Sequence, residues 1–142
     1  MKRIVWSGIW LAVMFSLASC SPKALHVQQA WVRPANAGNN GAAYFTIQNP
    51  SKTEDMLLSA SSSIAEAAEL HLSSMNAEGT MTMEPQASVA VPAGENVEFK
   101  PGGLHVMLVN LQQDLKVGDT FQLDLKFQVA GTQTITVEVK EP

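Results

Sequence analysis

The sequence is poor in the groups on which much protein chemistry rests. It has one cysteine, Cys20, and three histidines, His26, His71 and His105. A single cysteine forms no intramolecular disulfide and supplies no thiolate cluster for zinc or iron–sulfur. Charged residues make up 15% of the chain, and Lys and Arg nowhere cluster. With a net charge of −4 the chain would repel a phosphate backbone, so nucleic acid is excluded as a partner. Gly-x-Ser-x-Gly, HExxH and HxxxH patterns are absent, and no set of carboxylates converges on either His71 or His105. The chain therefore offers no nucleophile–base pair, and it is not expected to be an enzyme. What is present is apolar: 46% of 142 residues are hydrophobic, enough for one domain with a real core.

The first residues stand apart from that domain. "MKR" is a positive start, and "IVWSGIWLAVMFSLA" is an apolar run of fifteen, short for a membrane span. "LASC" then resembles the bacterial lipobox, in which the cysteine is lipidated and becomes the first residue of the mature protein. Residues 1–19 are read as a signal peptide, 20–28 as the lipidated N-terminus and tether, and 29–142 as the domain. Cys20 would be the lipidation site, anchoring an exported protein to a membrane facing the periplasm. Ser21, where an Asp could stand, favours the outer membrane. One acyl chain binds membranes weakly, and the bacterial lipoprotein modification supplies several.

Beyond the signal the periodicity is two. "FQLDLKF" (121–127) alternates, with Phe121, Leu123, Leu125 and Phe127 on one face. "AAYFTIQN", "NVEF" and "TITVEV" continue the pattern, and "NPSK", "NAEG", "PAGE", "KPGG" and "KVGD" punctuate it as turns. Only "SIAEAAEL" (63–70) reads as one or two helical turns. The pattern predicts an all-β fold, an antiparallel sandwich or barrel of eight or nine short strands.

Four methionines and two histidines fall between positions 71 and 107. In "LHVML" (104–108), alternation puts Leu104, Val106 and Leu108 on one face and His105 and Met107 on the other. In "ELHLS" (69–73), Leu70 and Leu72 oppose Glu69, His71 and Ser73; in "TMTM" (80–83), Met81 and Met83 share a face. All three segments adjoin turns, which a Greek-key fold gathers at its ends. Two readings remain open at this point. Methionines are common core filler, and lone histidines are mostly structural. Alternatively, imidazole and thioether together, without thiolate or carboxylate, form a soft site suited to Cu(I) and ill-suited to Zn²⁺, Ca²⁺ or Mg²⁺. A blue-copper site is excluded, because the one cysteine sits in the lipobox.

The spacing resembles a known family. His71 is followed by Leu72, ten residues, Met83, twenty-one residues, His105, Val106 and Met107. This is similar to the pattern of periplasmic copper chaperones of the PCu(A)C type, departing only at Leu72, where Met is common. "AWVRP", "AAYFTIQN", "MTMEP" and "VPAGENVEFKPGGLHVML" also look like blocks of that family. The resemblance implies a cupredoxin-like Greek-key domain with Cu(I) as cargo. It implies His71, Met83, His105 and Met107 as ligands at a solvent-facing rim, with Met81 a substitute thioether and Met75 and His26 outside the set. It also implies delivery to a copper-accepting protein, such as a cytochrome c oxidase subunit with its dinuclear copper centre, or another copper chaperone. A copper storage or resistance lipoprotein and a metal-free β-sandwich binding module are the alternatives. The last residues, "VEVKEP", carry no His/Met-rich tail, so a second copper site is not expected.

Overall fold

A computed structural model describes residues 24–142. The segment read as a signal peptide and Cys20 lie outside the described residues. All the regular structure described is strand, in ten elements: β1 (His26–Val32), β2 (Gly41–Gln48), β3 (Asp55–Ser61), β4 (Ala65–Met75), β5 (Met81–Pro85), β6 (Val89–Val91), β7 (Asn96–Phe99), β8 (Leu104–Leu111), β9 (Thr120–Phe127) and β10 (Thr132–Val139).

Seven of these close on themselves in the order β4–β8–β2–β1–β10–β9–β3, with β3 returning to β4 at Ala60↔Ala68. Closure removes the free sheet edges that would otherwise invite aggregation. The remaining strands are appended: β5 pairs with the far end of β4, β6 with β3, and β7 with β2. Eight of the ten strands are paired antiparallel only; the seam is β1 against β10, which runs parallel through Trp31↔Glu138 and Val32↔Val139. That parallel seam and the tenth strand differ from the antiparallel set of eight or nine. β6 is three residues long, too short for alternation to reveal.

The alternating runs form the core as their pattern demands. Phe121, Leu123, Leu125 and Phe127 of β9 point inward, as do Phe45 and Ile47 of β2 and Val106 and Leu108 of β8. Each such side chain contributes about 1.5–3 kcal/mol by leaving water. Phe45 and Phe99, direct partners across β2 and β7, stack at 4.4 Å between centroids. The segment read as helical, residues 63–70, is instead a turn at 63–64 followed by the start of β4. Its Ala and Glu residues favour helix in isolation. Ladders to β8 and to β3 override that preference by satisfying both backbone edges. β1 begins at His26, three residues ahead of position 29, and Leu25 is already buried in the core.

One buried carboxylate ties β3 to the turn between β9 and β10. Asp55 accepts hydrogen bonds from the backbone N–H groups of Val129 and Ala130, each at 2.8 Å, and of Met56 at 2.7 Å. Asp55→Ala strands those donors and should lower unfolding free energy by about 1–3 kcal/mol in a urea titration. An unchanged midpoint would contradict this role.

Candidate metal centre

The register of β4 against β8 builds the site. Leu70 pairs with Val106, and Leu72 with Leu104; between them, His71 pairs with His105. Glu69 pairs with Met107. Directly paired residues share a face of the sheet. With Leu70, Val106 and Leu108 buried inside, His71, His105, Glu69 and Met107 take the outer face. β5 extends that face: Ser73 pairs with Met83, and Met75 with Met81. Five residues far apart in sequence, His71, Met81, Met83, His105 and Met107, thus lie on one outer wall of the barrel.

The two imidazoles stand side by side, their centroids 5.8 Å apart and their planes at 44°. Although they sit on the outer face, both are buried, His71 at 9% exposure and His105 at 4%. Met83 is 57% exposed. The expected solvent-facing rim is therefore a shallow, mixed site on the barrel wall, with sheltered nitrogens and one open thioether. Met83, His105 and Met107 line a cleft of about 270 Å³ together with Arg33, Asn40 and Tyr44. Tyr44 is held against Trp31 at 4.8 Å. His71 adjoins the cleft through the His105 ring and does not line it. Met81 does not line it either, nor does Met75.

Hydrogen bonds fix which ring nitrogens are free. Nδ1 of His105 lies 3.0 Å from the Gly103 carbonyl. A carbonyl only accepts, so Nδ1 carries the proton and Nε2 keeps its lone pair. In His71, Nε2 lies 2.9 Å from the Glu69 carboxylate, which in its ionised form also only accepts. That leaves Nδ1 of His71 with a lone pair, and this atom is buried without a hydrogen-bond partner. A buried acceptor left unpaired is costly, by about 1–3 kcal/mol. An ion held at that lone pair would give the atom a partner. The donor set of neutral imidazole and thioether fits soft Cu(I) better than hard or borderline dications. Glu69 corrects the expectation that the histidines have no carboxylate beside them. It fixes the orientation of the His71 ring, the arrangement that carboxylates commonly provide for imidazoles at metal sites. Its place was readable two residues before His71 on the same face, whereas Arg33, Asn40 and Tyr44 come from a distant part of the chain and left no local signal.

Comparison with known proteins supports the family and the fold. Residues 25–139 match the family described as "Putative lipoprotein LpqE-like". A lipoprotein, itself named as putative, from Leifsonia xyli subsp. xyli is 31% identical over 118 residues, 82% of this chain and 70% of its own. A protein of Rickettsia prowazekii (strain Madrid E) is 31% identical over 121 residues, 82% of this chain and 66% of its own. Among solved structures, the apo PCuAC domain from PmoF1 superposes with a TM-score of 0.72 at 26% identity, covering 86% of this chain and 98% of that one. The Cu(I) form of DR1885 from Deinococcus radiodurans gives 0.59 at 30% identity, covering 83% and 80%. The copper-bound PCuAC domain from PmoF2, at 23% identity, shares the fold with a TM-score of 0.70 over 86% and 97%.

Exposure orders the thioethers. Met75, Met81 and Met83 are open to solvent, whereas Met56 and Met107 are half-buried. Under dilute hydrogen peroxide the first three should convert to sulfoxide well before the other two, as read by peptide mass spectrometry. Equal rates at Met83 and Met107 would contradict the arrangement.

Proposed function

The chain belongs to the LpqE-like lipoprotein family, and from that premise we propose that it is a copper chaperone. It binds Cu(I) through His71, Met83, His105 and Met107 and releases it by ligand exchange. The observation that carries this reading is the pairing of His71 with His105. One free nitrogen on each ring accompanies it, beside the thioethers of Met83 and Met107. Similarity to PCuAC domains, including copper-bound ones, supports the same cargo.

In this reading the ligands take unequal roles. The histidines are buried and fixed by Glu69 and Gly103, so they lose little freedom when an ion binds. Met83 stands on the exposed strand β5. Its thioether is a weak, neutral ligand that an incoming thiolate or imidazole can replace first. Met107 and the two nitrogens then let go in turn, and copper stays Cu(I) throughout. No proton or electron is required from the scaffold. The recipient would be a copper-accepting protein, such as the cytochrome c oxidase subunit that carries the dinuclear copper centre, or a further chaperone. Export, lipidation at Cys20 and attachment to the periplasmic face of the outer membrane place the carrier where such recipients face.

His105→Ala should weaken Cu(I) binding by more than about 100-fold in competition with a chelator, beyond the range typical of losing an outer-shell group. Met107→Ala should weaken it less. The loaded wild-type protein should also transfer copper to an apo oxidase copper domain. Absence of Cu(I) uptake by the wild type, or full affinity in His105→Ala, would overturn the assignment. Uptake without transfer would mark storage in place of delivery.

A further inference from the structure

We propose that the tip of the β4–β5 hairpin carries a second soft-metal site, a Met75–Met81 thioether pair that captures a monovalent soft cation and feeds it to the cleft through Met83. The inference rests on the copper-carrying reading and extends it. It replaces the expectation of a single site.

β4 outruns its partner. Its ladder to β8 ends at Leu72↔Leu104, with a last hydrogen bond from Ser73 N–H to the Gly103 carbonyl. Its ladder to β5 continues to Met75↔Met81. The hairpin therefore extends past the barrel wall as a two-stranded arm. Such arms are weak in water unless something fixes them, and here the turn does. The Asn76 side-chain oxygen accepts from the N–H of Glu78 at 3.1 Å and of Thr80 at 2.8 Å. Asn76 N–H in turn donates to the Thr80 carbonyl at 2.9 Å, and Gly79 takes the left-handed conformation, φ +78°, that this turn needs. Met75 and Met81 flank that locked turn on either side.

The two faces of the arm differ in chemistry. One carries the hydroxyls of Ser74 and Thr82, 3.1 Å apart. The other carries Met75 and Met81 opposite each other, then Met83. Met75 is 67% exposed and Met81 48%, so neither is core filler. Directly paired residues hold their Cβ atoms about 4.5–5.5 Å apart, within reach of two flexible thioethers clamping one ion. Met83 follows Met81 on the same face, about 6.6 Å along the strand, and it lines the cleft with His105 and Met107. The sulfurs make a path from the tip to the imidazoles. Two neutral thioethers bind Cu(I) or Ag(I) more weakly than four mixed ligands and hardly bind Zn²⁺ or Ca²⁺. Cargo taken at the tip would pass inward to the stronger site, with no change of oxidation state.

The test uses the full chain in detergent micelles with ¹³C-methyl-labelled methionine, titrated anaerobically with Cu(I). The first equivalent should shift the rings of His71 and His105 and the methyls of Met83 and Met107. The second should shift the methyls of Met75 and Met81, and Met75→Leu should abolish the second step while leaving the first unchanged. Met75→Leu should also slow loading from a thiolate-bound Cu(I) donor. Still methyls at Met75 and Met81 after the first site fills would overturn the hairpin site alone. No shift at any of these groups would overturn the hairpin site and the copper reading together.

Discussion

The site depends on one register: residue 71 opposite residue 105 across β4 and β8. Side chains alternate along a strand, so a slip of β4 by one residue would send His71 into the core and the leucines beside it into water, parting it from His105. Apolar burial prevents that slip. Leu70 and Val106, paired next to the histidines, are almost fully buried, and Leu108 lies beyond them. The hydrophobic face of the wall thus sets the position of the polar face, and the two histidines are located by side chains on the opposite face of the sheet.

That arrangement holds groups in a state the fold alone would not favour. Burying the lone pair of His71 Nδ1 without a partner works against stability. What the protein gains is orientation. Glu69 and the Gly103 carbonyl each take the proton-bearing nitrogen of one ring, so both rings present a free nitrogen before any ion arrives. The methionines complete the gradient from sheltered to open, with Met107 half-buried in the wall and Met83 on an exposed strand.

Much of this was legible in the residues, for physical reasons. Two-residue alternation reports the inner and outer faces of a half-buried strand, and it identified β2, β8, β9 and most of β10. The same alternation placed His105 with Met107, and His71 away from its leucines. It was silent where tertiary pairing decides. Residues 63–70 look helical because Ala and Glu are good helix formers, yet neighbouring strands on both edges make residues 65–70 part of β4. The parallel closure of β1 on β10 joins the two ends of the domain and leaves no trace in either segment. The approach to the cleft of Arg33 and Asn40, from the β1–β2 connection, and of Tyr44, from β2, depends on the three-dimensional path of the chain. Leu72, the one departure from the ligand pattern, points inward opposite Leu104, so its lack of a thioether leaves the outer wall intact.

Copper carriage by this fold requires imidazole nitrogen and thioether sulfur to meet at one cuprous ion. X-ray absorption at the copper edge of the Cu(I)-loaded chain measures that meeting most directly. Nitrogen and sulfur scatterers should appear together in the first shell, with the outer-ring signature of histidine. A shell of oxygen and nitrogen alone, or one without the histidine signature, would contradict it.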